Sequence, residues 1–243
     1  ADLNIENVVA GNKPLRIRGT AGTEDLDVGK IIANDMLGPV SLRTGLQATL
    51  SKPASLRIDS LFVDRLHFNS YDYTGLKAVG LLSEDMFNGT IIANDPSLNA
   101  WLQGGFALSA KTHNARYKFY ANVEDADLNA LNIDKRGRSR IRFSTNANFT
   151  RKENGNILGD IDIAGLRFTN RDSTTNIGNI KLTSHSSDNV YKMRLQSQFA
   201  EGSFNGTAPI TQFIKDLTAL TVRKELPAMF TSKETAWKGD SYS

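Results

Sequence analysis

An alternation of period two is the feature that most narrows what this chain can fold into. Tyr117, Phe119, Ala121 and Val123 alternate with Lys118, Tyr120 and Asn122, and Ile141, Phe143, Thr145, Ala147 and Phe149 alternate with Arg140, Arg142, Ser144, Asn146 and Asn148. The pattern returns at Ile157, Gly159, Ile161 and Ile163 against Leu158, Asp160 and Asp162, and at Tyr191, Met193, Leu195, Ser197 and Phe199 against Lys192, Arg194, Gln196 and Gln198. Successive side chains of a strand point to opposite faces, so each segment presents one apolar face and one that water can satisfy. Turn formers separate the segments: K-E-N-G-N over residues 152–156, S-S-D-N over 186–189, Glu201 with Gly202, and residues 134–137 and 11–14. Links this short predict an antiparallel meander.

Two short strings recur. I-I-A-N-D begins at residue 31 and again 60 positions later at residue 91, while F-N-G-T begins at residue 87 and again 117 positions later at residue 204. The second offset is close to twice the first, which predicts a stack of similar units rather than a single closed domain. Such a stack makes a long surface, and function is then expected along a face.

Composition fits one apolar face per sheet. The apolar fraction is 40% and the mean hydropathy −0.34, little material for a deep two-sided core. Twenty-nine basic side chains against 26 acidic give a net charge of +3 that is not gathered into a tail, so charge alone does not imply nucleic acid. The absence of cysteine excludes a disulfide framework, a thiolate nucleophile and a cysteine metal site. No run of about 18 apolar residues occurs, so no membrane span is expected. The sequence opens in strand-like residues without a signal-peptide pattern, and an internal segment of a longer protein is expected.

The period changes after residue 208. Ile210, Phe213, Ile214, Leu217 and Leu220, then Leu226, Met229 and Phe230, fall at helical spacing, with Pro209 placed to start a helix and Pro227 to break it. The expected organisation is therefore a repetitive β-sheet over residues 1–208, an amphipathic helix over 209–230 and a flexible tail over 231–243.

No catalytic constellation is found. His67, His113 and His185 are scattered, and neither an H-x-x-x-H pair nor a G-x-S-x-G elbow occurs. Glu124, Asp125, Asp127 and Asn129 begin like a calcium loop, but Ala130 replaces the glycine and Arg136 the glutamate that such a loop needs. Gly104 and Gly105 lack the Lys and Ser/Thr of a phosphate loop and predict a bulge or a close backbone approach. Neither an enzyme, nor a cofactor, nor a metal site is expected. The sharpest charge feature is Lys135, Arg136, Arg138, Arg140 and Arg142, whose last three share one strand face. A solvated face that discourages edge pairing is the ordinary reading. Contact of Arg138, Arg140 and Arg142 with anionic lipid headgroups is the functional one. Nucleic acid ranks last, because no stacking aromatics are interleaved there. Asn88, Asn148 and Asn205 each begin an N-x-T sequon, although Asn-Gly-Thr also serves as a plain turn.

Extended stretches resemble a known family. They are G-L-L-S-E-D-M-F-N-G-T-I-I-A-N-D-P-S-L-N-A over residues 80–100, A-D-L-N-A-L-N-I-D-K-R-G over 126–137 and I-L-G-D-I-D-I-A over 157–164. To these add S-H-S-S-D-N-V-Y over 184–191, F-I-K-D-L over 213–217 and R-K-E-L-P-A-M-F over 223–230. Together they resemble the interior of the large TamB-type translocation and assembly module proteins of the Bacteroides group, relatives of the AsmA-like proteins. The resemblance covers most of the chain, is weakest over residues 1–50, and rests on sequence texture rather than a catalytic motif.

The resemblance implies a periplasmic location, with the whole protein anchored in the inner membrane and its C-terminal part meeting an outer-membrane barrel, both ends lying outside this chain. It also implies an elongated, curled, U-shaped antiparallel sheet whose concave apolar face carries phospholipid acyl chains between the two membranes. On that reading Tyr117, Phe119, Val123, Ile141, Phe143, Phe149, Ile161, Ile163, Tyr191, Met193, Leu195 and Phe199 line the groove. The same alternation would also serve a β-sandwich with a closed core, acting as a spacer or partner-binding module. A third reading is a periplasmic scaffold that holds outer-membrane or secreted polypeptides by edge pairing.

Overall fold

The computed structural model describes residues 2–9, 15–32, 36–50, 53–107, 114–135, 137–153, 156–171, 173–187 and 190–207. The expected helix and tail at 209–243, and the expected turn at residues 11–14, lie outside the described residues. The alternating segments form strands as expected. In chain order they are β1 (Asp2–Val9), β2 (Arg16–Asp27), β3 (Leu37–Thr49), β4 (Ser55–Phe68), β5 (Tyr71–Tyr73), β6 (Leu76–Ser83) and β7 (Met86–Asp95). There follow β8 (Leu98–Ala107), β9 (Ala115–Asp127), β10 (Ser139–Arg151), β11 (Ile157–Asn170), β12 (Ser173–Ser187), β13 (Val190–Ser197) and β14 (Glu201–Gly206).

All belong to one 14-stranded sheet in which every strand pairs antiparallel with its sequence neighbour, β5 alone standing off the main path against β4. The two ends of the path, β1 and β14, do not pair with each other, so the sheet is open. Short links dictate this order, since an antiparallel hairpin needs only two residues where a parallel crossover needs a dozen. Glu84 and Asp85, with φ of 48° and 64°, make the two-residue link between β6 and β7. Asn69 and Ser70, with φ of 52° and 62°, make the link between β4 and β5. Left-handed pairs of this kind match the twist of the strands they join.

The one described helix, α1 (Val28–Ile32), interrupts the link between β2 and β3. Asp27 caps it, its Oδ1 accepting from the Lys30 N–H at 3.1 Å.

Four expectations of detail change. Ile31 of the first I-I-A-N-D string lies in α1 whereas Ile91 of the second lies in β7, so this pair does not mark equivalent units. Asn88 and Gly89 sit within β7 rather than in a turn, and Glu201 and Gly202 open β14. The last strand pair is linked instead at residues 198–200, where Ser197 Oγ accepts from the N–H groups of Phe199 at 3.2 Å and Ala200 at 3.0 Å. A serine turned on its own backbone ends a strand, so Phe199 falls outside β13.

Little of this sheet is buried. The described apolar residues that are buried are Val40, Phe87, Leu131, Phe204 and five alanines, Ala93, Ala115, Ala121, Ala126 and Ala147. A two-layer sandwich hides its large inward residues first. Here Leu61, Ile91, Leu102, Ile161 and Ile163 stay half-buried, and strands pack substantially only on their neighbours in the path.

Candidate functional site: the apolar face

Register converts the alternation of single strands into rows that cross the sheet. One row runs Gly19, Leu46, Ile58, Gly80, Gly89, Gly104, Phe119, Ala147, Ile161, Leu182, Leu195 and Gly202, each residue directly opposite the next. The next row on the same face runs from Ala21 through Leu61, Ile91, Leu102, Ala121, Ile163 and Ile180 to Ser197, interrupted only by alanines and threonines. A row on the other side includes Ile17, Leu56, Leu82, Phe87 and Phe106 in the first half, and Tyr117, Phe149, Met193 and Phe204 in the second. None of these rows contains a charged residue. Where a strand would lose the phase, a bulge restores it: the pairing of β9 with β10 shifts between Ile141 and Phe143, and both stay on the apolar face.

Glycines form the floor at the centre. Gly80, Gly89 and Gly104 lie side by side on β6, β7 and β8, and the Phe87 ring rests over the first two. A Cβ added at Gly80 or Gly89 would come within 2.7 Å and 2.8 Å of Phe87 Cζ. Gly104 has φ +139°, and its Cβ would stand 2.3 Å from the Lys118 carbonyl, so the close backbone approach expected of this glycine is present. The recurrent F-N-G string now has a physical meaning: at its second copy the Phe204 ring covers Gly206 in the same way, 2.7 Å from where a Cβ would be. Aromatic rings laid on glycine are buried without a second layer. Elsewhere on this face Tyr117 stacks on Phe149 with centroids 4.7 Å apart, and Phe87 packs on Phe106 at 5.3 Å.

At one end of the strands the face is closed by loops. Asp95, 6% exposed at the end of β7, accepts from the Tyr71 hydroxyl at 2.5 Å, the Thr74 N–H at 2.8 Å and hydroxyl at 3.1 Å, and the Ser97 N–H at 2.8 Å. Burial raises the pKa of this carboxyl, but the four hydrogen bonds outweigh it and hold the group below the usual carboxylate value. Burial, then the bond to Asp95, pushes the Tyr71 hydroxyl up. The Ser97 carbonyl in turn accepts from the Asp127 N–H at 2.9 Å, joining this knot to the end of β9. A second tie skips β6, β7 and β8: Asn69 Nδ2 donates to the Asn132 carbonyl at 3.2 Å while Asn132 Nδ2 donates to the Asn69 carbonyl at 2.9 Å. Beside it Leu131 is 2% exposed, and Tyr71 meets Tyr73 edge-on at 4.8 Å.

Of the twelve residues expected to line a groove, the structure brings eleven onto this face: Tyr117, Phe119, Val123, Ile141, Phe143, Phe149, Ile161, Ile163, Tyr191, Met193 and Leu195. Phe199 is not among them, being 72% exposed in the link before β14. Arg140 and Arg142 point from the opposite face, and Arg138 lies in the loop before β10. Arg140 is engaged by Asp125, whose hydrogen bond raises its pKa, and it stands 3.9 Å from Asp127. Sequence reasoning missed the half of the face supplied by β2 to β8, and with it the loop closure. Gly19, Ala21 and Thr23 in β2 and Ala78 in β6 carry the alternation on side chains too small to register as apolar.

Among the described residues no group of acidic or histidine side chains is placed to hold a metal ion, and no helix is long and apolar enough to cross a membrane. His67 instead meets Asp72 at 2.6 Å, and His185 is exposed on β12. Comparisons of the chain with protein-family models, with curated proteins and with solved structures found no match.

Proposed function

We propose that this chain is an internal segment of a periplasm-spanning protein of the TamB-type, AsmA-like kind, and that its apolar face shields acyl chains as phospholipid passes between the inner and outer membranes. Outer-membrane assembly is the process it would support. The observation that carries this reading is the uncharged set of rows crossing strand after strand with no second layer of described residues laid over it. Each methylene that such a face takes from water contributes about 0.8 kcal/mol. The longest row crosses eleven strand-to-strand steps of about 4.8 Å, a path of roughly 53 Å without a charge to stop the chain.

Two features favour a curled, U-shaped sheet with this face inside. Apolar side chains on it are mostly half-buried or buried, Leu195 at 38% near the β14 edge being an exception, whereas those on the other face are more exposed, as with Ala121 at 9% and its neighbour Tyr120 at 40%. The reciprocal Asn69–Asn132 bonds also draw together loops at the ends of β4 and β9, about 19 Å apart in a flat sheet. The headgroup of a lipid on this face would lie at the strand ends, where Arg138 is the best placed of the three arginines. No bond is made or broken in such transport, so the function is not enzymatic and needs no cofactor. An outer-membrane barrel would be met by parts of the full protein beyond this chain.

A second reading, a periplasmic scaffold that holds outer-membrane or secreted polypeptides by strand pairing, is favoured by the two sheet edges at β1 and β14. Photo-crosslinking with a phospholipid carrying a diazirine on its acyl chain separates the two. Crosslinks at Leu102, Ile161 or Ile163 and none at Gln103 support acyl-chain binding. A chain that takes no lipid but captures an extended peptide at β14 is a scaffold.

A further inference from the structure

The face turned away from the apolar rows is not uniformly polar. Phe62 on β4, Val79 and Leu81 on β6, Ile92 on β7, Trp101 on β8 and Tyr120 on β9 all point outward and are between 36% and 48% exposed. Register sets them side by side: Phe62 is opposite Lys77, Lys77 opposite Ile92, and Ile92 opposite Trp101. The Trp101 and Tyr120 rings lie 5.0 Å apart, and Lys77 Nζ sits 5.8 Å from the Phe62 centroid. An alternating strand would place polar residues at these positions, and Thr90, Gln103 and Asn122 around the patch obey that rule. These six residues have no part in the acyl-chain face.

Charge on the same face is equally particular. Arg43, Arg140 and Arg194 are held by Asp64, Asp125 and Glu201. By contrast Arg16, Lys77, Lys118, Arg142 and Arg167 have no acidic partner among the described residues, and Arg142 stands directly opposite Arg167 in the register of β10 and β11. Two shallow depressions of about 400 and 410 Å³ adjoin the patch, sharing Arg57 and Leu81, the first of them lined also by Arg16 and Arg18.

We propose that this outward face docks on the surface of an anionic lipid bilayer, with Trp101 and Tyr120 at the level of the headgroups and the unpaired cations spread around them. Trp and Tyr favour the membrane–water boundary because each joins an apolar ring to a polar tip. Lysines and arginines with long apolar stems reach the phosphates from beside them. Width decides between this partner and an acidic peptide. The unpaired cations extend from β2 to β11, eight strand steps or about 38 Å, whereas a docked helix is about 10–12 Å across. A second copy is disfavoured because it would set one unneutralised cationic face against another. The proposal does not rest on the acyl-chain reading, since it concerns the opposite face.

The test is co-sedimentation of the 243-residue chain with vesicles of phosphatidylglycerol and phosphatidylethanolamine, and with vesicles of phosphatidylcholine. The expected result is binding to the anionic vesicles alone, weakened by salt. Lys77→Ala, Lys118→Ala and Arg142→Ala should each lower the partition coefficient by about fivefold. Trp101→Ser should lower it further, while Asn205→Ala, an uncharged exposed residue on β14 outside both the patch and the apolar rows, leaves it unchanged, with circular dichroism confirming that each variant is folded. Equal binding to both kinds of vesicle, or anionic binding untouched by these outward substitutions, overturns the proposal. So does displacement of the vesicles by inorganic phosphate alone, which would make the arginine-lined depression a site for a free anion. Binding of a model acidic amphipathic helix more tightly than the vesicles would make the face a protein interface instead.

Discussion

The Tyr71 hydroxyl donates to the Asp95 carboxylate at 2.5 Å, and through this bond the short strand β5 is fastened to the end of β7. The pairing lies where β4 ends and β6 and β8 begin, and it fixes the loops that close one end of the apolar face. A buried carboxylate is tolerated only when its hydrogen-bonding capacity is used, and Asp95 uses both oxygens.

Asp95→Asn should therefore destabilise the sheet by about 1–3 kcal/mol, because the amide must turn a donor toward a hydroxyl or N–H that already donates. Urea denaturation with an unchanged slope and a lowered midpoint is the expected outcome. A midpoint equal to that of the wild type would show that the knot is dispensable.

The same carboxyl gives a pH signature. Its folded pKa is depressed, so its stabilising contribution is complete above the unfolded value of about 4 and is lost as pH falls through the folded value. Thermal unfolding of the wild type should weaken below about pH 4 more steeply than that of Asp95→Asn. Parallel pH profiles would contradict the assignment.

Gly89→Ala tests the glycine floor. A methyl group there would sit 2.1 Å from the Val79 carbonyl oxygen and press on the Phe87 ring. Strands ordinarily gain from replacing glycine, yet here overpacking should cost about 1–3 kcal/mol. Gly202, with nothing within 4 Å of its Cβ, is the control, and Gly202→Ala should be neutral or slightly stabilising.

Asn132→Ala removes one half of the reciprocal tie between the β4–β5 and β9–β10 loops. Amide exchange should speed up at Asn69, Leu131 and Asn132 while the centres of β9 and β10 keep their protection. Unchanged exchange in both loops would mean that they stay together without the bonds.

The strand content and the antiparallel order were legible because Arg and Asn alternate with Ile and Phe in β10, and because two-residue links leave no alternative pairing. The face of β9 to β13 was legible for the same reason. The limits of β13 were not: Phe199 keeps the phase of Tyr191 and Leu195, but the Ser197 hydroxyl captures its N–H and turns the chain. In β6 the residues Val79, Gly80, Leu81 and Leu82 are apolar or glycine on both faces, so alternation vanishes there and the outward patch is hidden with it. The two ties at the strand ends join residues 24 and 63 positions apart, and no local pattern announces contacts of that span. Repetition misled at I-I-A-N-D, where Asp27 starts a helix in one copy. It informed at F-N-G-T, where a ring needs a glycine beside it.

The most direct test of the central claim sets two neighbours on β8 against each other: Leu102 faces the apolar rows and Gln103 faces away. Native mass spectrometry of the purified chain would compare the wild type with Leu102→Asp, Ile163→Asp and Gln103→Asp, each checked for folding by circular dichroism. Phospholipid is expected on the wild type and on Gln103→Asp, and its loss is expected from the two folded inward variants. Wild-type chain free of lipid after incubation with phospholipid, or lipid retained by folded Leu102→Asp and Ile163→Asp, would contradict the claim.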